Sequence, residues 1–415
     1  MIRRTSCAGP LVAAIALALG ECAGAATITV NQDGDTHVSG RCSLREAIWA
    51  NNEQAVPADT NCVAGSGSND VIAIPFATIT LTQGYLGIAR AVEIKGTLAQ
   101  RTRIVRDASA AEFGLFRSSA ATTFRHVTLS GGAMPALAGI GGGGAILATA
   151  SVTLIDSVVS GNRSQKNGGG IYSTKSLTLL QSTVSGNQAQ GNGGGIAAKY
   201  DIAIRDSTIA GNSAGDSSNA GSGGGIAFAA VGNLPARFEM RNSTVSGNDS
   251  RGNGGGILLG SGLSAVIGNS TIESNRAYGT ANGGGIFADA PLSLTLSSTL
   301  VSGNVLGKYE QNIAASAAIS VSGSRNLVRA AASGVTLPGG TLACLPALGT
   351  LSDNGGPTPT VPLRPGPCAI DAGLRNSLEY DQRGPGYTRV AGMAADIGAF
   401  EYSDVIFANG FDPPA

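Results

Sequence analysis

Apolar and small polar residues alternate along most of this chain, and the alternation predicts β-strands. In the stretch SLTLLQSTVSGN (176–187), Leu and Val are separated by Ser and Thr with the period of two expected for strands that bury one face. No part of the repeated region keeps a 3.6-residue period, which argues against helical repeats.

The alternating stretches are organised as a repeat. Each unit contains a glycine-rich segment of the type NGGGI and ends with a segment of the type STVSGN. The glycine-rich segments lie at 141–146, 167–171, 192–196, 222–226, 253–257 and 282–286. The units close with Asn162, Asn187, Asn212, Asn248, Asn275 and Asn304. The first three closing residues are 25 apart, and the later intervals of 36, 27 and 29 residues indicate loop insertions into a coil of constant size.

A unit of 25 residues has room for about three short strands and cannot bury its apolar side chains alone. Successive units must therefore stack, which predicts a single-stranded parallel β-helix with coils about 4.8 Å apart. A propeller blade would need about 40 to 50 residues. Weaker alternating stretches at 69–96 and 124–132 extend the repeat, so residues 69–350 should form roughly eleven coils in one elongated all-β domain.

The glycines and the closing asparagines predict two kinds of turn. A Gly inside a regular strand costs about 0.5–1 kcal/mol relative to Ala, so repeated Gly triplets indicate positive φ or close backbone approach. The six closing asparagines are predicted to stack as an Asn ladder at another turn. Asn tolerates the left-handed conformation and can bond its side-chain amides along the stack.

The segment RCSLREAIWANN (41–52) departs from the alternation and predicts a short helix. Ser43 and Glu46 have the spacing of a capping box, in which each side chain satisfies the other residue's backbone amide. The end of a β-helix exposes an open core and unpaired strand edges, which need a cap. Residues 27–68 are therefore predicted to cap the N-terminal end with this helix.

Residues 1–26 have the features of a signal peptide. Arg3 and Arg4 precede a ten-residue apolar run, and small residues up to Ala26 offer a cleavage site. The run is too short to span a bilayer as a membrane anchor, which is the alternative interpretation. We expect an exported protein, outside the cell or on its outer surface, with no transmembrane segment after cleavage.

The charge balance limits the partners. Only 13% of residues are charged, and removing Arg3, Arg4 and Glu21 from 27 basic and 27 acidic residues leaves 25 and 26. A net charge of −1 provides no basic excess for neutralising phosphates, so nucleic acid is not an expected partner. We expect a monomer that contacts a cell-surface component or a polysaccharide.

Four cysteines follow the predicted cleavage site: Cys42, Cys62, Cys344 and Cys368. An even number in an oxidising compartment predicts two disulfides. Three pairings exist, and locality favours Cys42 with Cys62 and Cys344 with Cys368. A zinc site is the alternative, but the spacings do not match zinc motifs and the chain has only two histidines.

Both ends of the mature chain resemble segments of bacterial exported proteins. CSLREAI, which follows ATITVNQDGD, resembles the CSLREA-type N-terminal segment of exported β-helix proteins. LSDNGGPTPTVPL (351–363), AIDAG (369–373), DQRG (381–384) and ADIGAFEY (395–402) resemble the choice-of-anchor Q domain. The repeats between them resemble right-handed pectin-lyase-like β-helices and, more loosely, chlamydial polymorphic outer-membrane proteins. The resemblance implies a right-handed β-helix, export by a bacterium and surface attachment, and it implies no particular activity.

The same resemblance sets the boundaries near the C-terminus. Residues 351–402 are expected to form a choice-of-anchor-like region that closes the helix, followed by a tail at 403–415. The ending VIFANGFDPPA resembles those of some proteobacterial exported proteins, which would make the tail a sorting or anchoring signal. The alternative interpretation is a last strand with a frayed end.

Enzymes of this shape need acidic residues on adjacent coils. A lyase requires carboxylates for Ca²⁺ and an Arg or Lys as proton acceptor, and a hydrolase requires two or three close carboxylates. Aligning the units on their GN ends places His126, Asp156, Gln181, Asp206, Asn242 and Asn269 in one column, with Arg205 and Arg241 in the next. The candidate catalytic residues are Asp156, Asp206, Arg205, Arg241 and His126. The alternative, which we favour, is a turn position that accepts Asp and Asn equally.

Two further groups of charged residues are candidate sites. Asp371, Asp381, Arg383, Asp396 and Glu401 are predicted to form buried pairs that close the rod, with catalysis as the alternative. NQDGD (31–35) has the oxygen ligands of a Ca²⁺ loop but lacks the distal Glu of an EF-hand. We expect no cofactor, and Ca²⁺ is the one alternative.

The sequence therefore supports two hypotheses. The first is a non-catalytic exported β-helix rod that acts in adhesion or binds a surface or glycan. The second is a polysaccharide lyase or glycoside hydrolase that uses an Asp/Arg face of the helix. The two differ in whether carboxylates and an Arg converge in a groove.

Overall fold

The computed structural model describes residues 24–403 except 68, 137–140, 230–235, 279–281 and 376. The predicted signal peptide lies outside the described residues up to residue 23, and the predicted tail lies outside them from residue 404. In the described part of the chain, short strands form four long sheets that enclose one hydrophobic core. The prediction of an all-β parallel β-helix is confirmed.

Each central coil contributes one strand to each of four sheets, which we number I to IV in the order in which the chain visits them. Sheet I contains Leu86–Ile88, Phe116–Ser118, Ile146–Ala148, Ile171–Ser173, Ile196–Ala198, Ile226–Phe228, Ile257–Leu259, Ile286–Ala288 and Ile313–Ala315. Sheet II contains Thr27–Thr29, Asp70–Ala73, Val92–Lys95, Thr122–Arg125, Val152–Ile155, Leu177–Leu180, Ile202–Arg205, Arg237–Arg241, Ser264–Gly268, Ser293–Ser297 and Ser322–Ser324.

The other two sheets complete the wall of the helix. Sheet III contains Thr78–Leu81, Thr102–Arg106, Val127–Ser130, Val158–Ser160, Thr183–Ser185, Thr208–Ala210, Thr244–Ser246, Thr271–Glu273, Leu300–Ser302 and Leu327–Val328. Sheet IV contains Ala133–Met134, Arg163–Ser164, Gln188–Ala189, Ser213–Ala214, Asp249–Ser250, Arg276–Ala277, Val305–Leu306 and the antiparallel Tyr309–Glu310. Ile319–Ser320 and Val335–Thr336 pair separately. The first strand of sheet II precedes residue 69, where the sequence predicts that the coils begin.

The core consists of aliphatic stacks that follow from the repeat. Strands of successive coils pair in register, so that Leu177 lies beside Ile202 and Leu179 beside Ile204. Sheet I begins seven successive strands with a fully buried isoleucine: Ile146, Ile171, Ile196, Ile226, Ile257, Ile286 and Ile313. Burying each such side chain contributes about 1.5–3 kcal/mol. The alternation along the sequence therefore defines the core.

The glycine triplets have both of the expected roles. Gly168, the first Gly of its triplet, has a φ of +63°, which an L-residue with a side chain rarely adopts. Gly169 packs so closely on the next coil that an added Cβ would overlap the carbonyl oxygen of Gly194. Equivalent contacts recur at the later triplets, so the glycines allow the coils to stack at the corner before sheet I.

The six closing asparagines form a continuous ladder inside the helix. Each donates from Nδ2 to Oδ1 of the next over 2.8–2.9 Å, from Asn162 as far as Asn304. Asn304 in turn donates to Asn312 over 2.7 Å, a member that the sequence pattern misses. The expectation that these asparagines adopt the left-handed conformation is wrong. The preceding residue, Gly161 or Ser274 for example, has the positive φ, which leaves the Asn side chain free to point inward.

The N-terminal helix begins with the predicted capping box. It spans Leu44–Glu53, and the Ser43 and Glu46 side chains form the capping box with each other's backbone amides. The Cys42–Cys62 disulfide ties this segment down, with its Cα atoms 5.0 Å apart. No helix in the described residues is long and apolar enough to cross a membrane.

Residues 344–402, here called the C-terminal strap, lie along sheet III. Their hydrogen bonds reach Arg101 beside the second strand of that sheet and Ser298 beside the ninth. The Cys344–Cys368 disulfide lies within the strap. A second core cluster joins the two layers and contains Leu300, Leu327, Leu363, Cys368, Ala369, Ile397 and Phe400. The strap therefore covers a flank of the coils, whereas the sequence predicts that it closes the end.

Candidate functional site

The predicted catalytic column is a row of left-handed turn residues between sheets II and III. Its six members have φ values from 43° to 54°. Arg101, Ser298 and Arg325, at equivalent positions of other coils, also have positive φ. Such angles are uncommon outside Gly, so the turn geometry, and not a shared chemistry, accounts for most of the column. The arrangement favours the turn interpretation.

One part of the column does bring chemical groups together. His126 Nδ1 lies 2.9 Å from Asp156 Oδ2 in the next coil. Arg101 approaches from the other side, with Nε 3.0 Å and Nη2 2.5 Å from Asp156 Oδ1. All three side chains are less than a third exposed. Asp156 therefore has a partner on each oxygen, and it holds the His126 ring in one orientation.

The strap forms a cavity beside these residues. Arg101 Nη2 also donates to the Pro357 carbonyl over 3.1 Å, which joins the column to the strap. The cavity has a volume of about 320 Å³ and is lined by Arg101, Val158, Thr183, Asp353, Gly356, Pro357, Thr358 and Pro359. Asp353 is the one carboxylate in its lining, which is fewer than a hydrolase or a Ca²⁺-dependent lyase needs.

Asp206 is enclosed by the strap and has different partners. Asn242 Nδ2 donates to its Oδ1 over 2.6 Å, and Thr358 donates to its backbone carbonyl. Burial raises the pKa of Asp206, and the hydrogen bond from Asn242 opposes that shift. The structure does not bring Asp206 to the partners of Asp156, so the two predicted carboxylates do not form a pair.

Arg205 and Arg241 point away from the column, onto the outer face of sheet II. They are in-register neighbours on adjacent strands, and both contact Glu239 Oε1, at 3.2 and 2.8 Å. Arg237 contacts Oε2 of the same carboxylate at 3.2 Å. The three arginines are 50–57% exposed, whereas Glu239 is 12% exposed. The predicted site is therefore divided: Arg205 lies on the open outer face of sheet II, and Asp206 lies at the corner that the strap covers.

A shallow pocket lies beside this arginine cluster. It has a volume of about 190 Å³ and is lined by Ser176, Leu177, Thr178, Asp201, Ile202, Ala203, Arg237 and Glu239. Asp201 accepts a hydrogen bond of 2.9 Å from the Arg237 backbone amide. At the neighbouring corner, the Lys175 ammonium lies 5.7 Å from the ring centre of Tyr200. Cations, hydroxyls, carboxylates and an aromatic ring thus surround one exposed depression.

The charged residues of the strap are part of its own core. Asp381 and Arg383 form an ion pair of 2.6 Å, and both are at most 10% exposed. The Arg383 guanidinium lies between the rings of Tyr387 and Phe400, 4.0 and 3.8 Å from their centres. This arrangement matches the predicted buried pairing of Asp and Arg.

Three further charged residues of the strap are buried and hydrogen-bond to backbone groups: Glu401, Asp396 and Arg389. Glu401 accepts backbone hydrogen bonds from Ala391 and Asp396, and burial raises its pKa to about 7. Burial also raises the pKa of Asp396, which accepts from the backbone of Asp371 and Tyr402. Arg389 is 1% exposed, and burial lowers its pKa. These groups are committed to the fold of the strap.

The oxygen-rich loop at 31–35 also has a structural explanation. Asp35 accepts from Arg45 Nε and Nη2 of the capping helix and from the backbone amides of Thr82 and Gln83. Its carboxylate thus links the helix to the first coils. Within the described ranges, no three His, Cys, Asp or Glu side chains are placed to hold a metal ion.

Sequence reasoning missed the residues that hold the strap. Gln382 is fully buried and bonds Thr208, Thr244 and Thr358 through their hydroxyls. Thr208 and Thr244 occupy an outward position of sheet III, where the repeat gives no reason to expect a partner, and Thr358 belongs to the strap. One signal was available: Leu300 replaces the Thr found at this position in the four preceding coils, and it packs under the strap.

Two coils match a known family of repeats. Residues 156–174 and 181–199 match the model of the Chlamydia polymorphic membrane protein repeat. The chain is similar to the crystal structure of pectate lyase Pel9A, with 15% sequence identity and a TM-score of 0.49 over 91% of this chain and 97% of that chain. No curated protein sequence matches it. Each matched segment begins at the left-handed turn and ends just beyond a strand of sheet I, so the family repeat corresponds to most of one coil.

Proposed function

We propose that this protein is an exported, non-catalytic β-helix rod that binds a glycan or another cell-surface component as a monomer. The observation that supports the proposal best is where the structure places the candidate catalytic residues. Asp156 is paired with Arg101 and His126, Asp206 is enclosed by the strap, and the arginines lie on the outer face of sheet II, where they contact Glu239. A general acid–base pair needs groups that can reach one substrate together.

Export and surface location rest on several independent features. The N-terminal segment has the pattern of a signal peptide, and two disulfides suit an oxidising compartment. The matched repeat belongs to a family of membrane proteins. The CSLREAI segment and the C-terminal motifs resemble those of exported bacterial proteins, and on that basis we propose that the tail is a sorting or anchoring signal.

Polysaccharide cleavage is the second candidate, because one observation favours it. The Asp156 carboxylate orients His126 as it would a general base, and a cavity of about 320 Å³ lies next to their partner Arg101. This site would act on a sugar polymer with His126 as the proton acceptor. This site has fewer carboxylates than a Ca²⁺-dependent lyase or a glycoside hydrolase commonly requires, and we therefore rank polysaccharide cleavage second.

Both functions can be tested with one preparation of the mature, disulfide-bonded protein. Depolymerisation of a polysaccharide panel is followed by unsaturated-product absorbance and by reducing ends, with and without Ca²⁺. Binding is measured in parallel on a glycan array and on intact bacteria. We expect binding without depolymerisation. Depolymerisation that is abolished by Asp206→Ala or His126→Ala, but not by Asp216→Ala in an exposed loop, would overturn the proposal and establish an enzyme.

A further inference from the structure

The outer face of sheet II has a concentrated positive charge on a chain that is almost neutral. Arg205, Arg237 and Arg241 share the single carboxylate of Glu239, so two of the three guanidinium charges have no partner there. Asp201 adds one negative charge nearby, through its contact with the Arg237 backbone. On the outer face of sheet II the cluster therefore has three guanidinium groups and two carboxylates, while the carboxylate of Asp206 lies beneath the strap, within electrostatic reach of Arg205.

The exposed donors of this cluster suit an anionic ligand. Each guanidinium has five N–H donors in a planar fork, and its geometry matches a carboxylate or a sulfate. Each arginine directs one nitrogen to Glu239 and remains at least half exposed. The remaining donors face solvent on one side of the wall, where they can bind a ligand without disturbing the core.

The neighbouring pocket has features that suit a sugar. Its lining includes the hydroxyls of Ser176 and Thr178 beside the carboxylate of Asp201. Lys175 and Tyr200, the residues next to Ser176 and Asp201 in the chain, pack together at the edge. Sites that bind small molecules combine such apolar surface with a few placed polar groups.

The cationic surface continues along the helix axis. One outward column of sheet II, in register from coil to coil, contains Lys95, Arg125, Ile155, Leu180, Arg205 and Arg241. Five steps of about 4.8 Å make this column about 24 Å long. Cations at both ends flank two partly exposed aliphatic residues in the middle, and Arg125 at one end is paired with Glu93. A polymer can contact both ends, whereas a single sugar cannot.

We propose that this column and the pocket beside it, together called the arginine face, bind an anionic polysaccharide along the axis of the rod. The inference rests on the proposed function and specifies its ligand class. Carboxylated and sulfated polymers share the chemistry that the arginines recognise. Chain length matters, because the two cationic ends of the column bind separate units of the same polymer.

The test compares polysaccharide binding by matched variants of the whole mature protein. The probes are alginate for carboxylates, heparin for sulfates, dextran as a neutral polymer, and the uronate monosaccharide. The Arg205→Ala/Arg241→Ala variant is compared with Arg163→Ala/Arg276→Ala, which removes the same charge from exposed positions on sheet IV. We expect at least about tenfold weaker binding of one anionic polymer for the first variant, with a smaller salt dependence, and no change for the second.

A third variant separates ligand binding from a structural role. Glu239→Gln removes the carboxylate that competes for the arginines, so it should bind the anionic polymer more tightly than the wild type. Equal weakening by both arginine variants, or tighter binding of dextran than of either anionic polymer, would overturn the proposal that the arginine face binds the polymer. The broader proposal of glycan binding would still stand. Failure of the wild type to bind any polysaccharide or cell surface would overturn the proposed function itself.

Discussion

The Thr244 hydroxyl donates a hydrogen bond of 2.6 Å to the side-chain oxygen of Gln382, although 138 residues separate them in the chain. The Gln382 amide donates in turn to the Thr208 hydroxyl over 2.8 Å. One buried side chain of the strap thus joins two adjacent coils of sheet III, where both threonines face outward from the wall.

The strap should detach from the coils if this contact is removed. Gln382→Ala leaves the buried Thr244 hydroxyl without its partner, whereas the Thr208 hydroxyl keeps its bond to the Pro359 carbonyl, and we expect a cost of about 1–3 kcal/mol. Hydrogen exchange of residues 344–402 should accelerate while exchange of the core isoleucines is unchanged. Gln190→Ala, at an exposed position just after the sheet IV strand Gln188–Ala189, is the control. Unchanged strap protection in Gln382→Ala would contradict the assigned role.

An asparagine of the buried ladder should contribute more to the stability of the protein than an asparagine at the surface does. Asn212 accepts from the backbone and side chain of Asn187 and donates to Val184 and Asn248, and it is 1% exposed. Asn212→Ala leaves several buried groups unpaired, so we expect a loss of about 2–4 kcal/mol in the free energy of unfolding. Denaturant titration measures it against Asn219→Ala in an exposed loop. Equal losses would show that the ladder adds nothing.

The strap should become less stable as the pH rises through 7. Burial raises the pKa of Glu401 from 4.5 to about 7, so the folded strap binds its proton more tightly than the unfolded chain does. This contribution is complete below pH 4.5 and is lost as pH rises through the folded-state pKa, by at most about 3 kcal/mol. Asp396 raises this pKa further, while Arg389 and the amides of Asp396 and Ala391 lower it.

Hydrogen exchange of the strap at pH 5 and pH 8 measures this effect. Glu401→Gln should match the wild type at pH 5 and exceed its protection at pH 8, because it cannot acquire the buried charge. Glu379→Gln, at an exposed position of the strap, should follow the wild type at both values. A wild-type strap that gains protection between pH 5 and pH 8 would show that Glu401 is not the controlling group.

The N-terminal cap should depend on its disulfide. Replacing Cys42 and Cys62 by Ser removes a link across 20 residues, which typically stabilises a protein by about 2–4 kcal/mol. We expect faster exchange in Leu44–Glu53 and concentration-dependent association, because the end of the first coil becomes accessible. Replacing Cys344 and Cys368 by Ser should loosen the strap and leave the cap intact. The reverse pattern would contradict the structure.

The parts of the structure that repeat were predictable, and the parts that occur once were not. Asn162 to Asn304 recur in a fixed sequence context, so their alignment follows from the period alone. Asn312 continues the ladder but follows the hairpin of Val305–Leu306 and Tyr309–Glu310, which removes the SGN context. The repeat period and the structural propensities of the residues thus locate the features that each coil shares with its neighbours.

The strap shows the limit of the same reasoning. Its position depends on contacts between residues that are far apart in the chain, such as Arg101 with Pro357, and no local pattern encodes which face it covers. The sequence placed Asp206 and Arg205 in one candidate site, and the structure separates them for a related reason. Alignment placed Asp206 and Arg205 in neighbouring columns, but Arg205 lies on the open face of sheet II and Asp206 lies at the corner that the strap covers.

The strap also changes how the molecule should unfold. In a solenoid where each coil touches only its neighbours, terminal coils can melt singly and unfolding spreads inward by small steps. Here one segment holds the second and the ninth strands of sheet III together, so the coils between them cannot melt singly without releasing it. The coils are thereby coupled into one cooperative unit, and a segment that is synthesised after them completes that coupling.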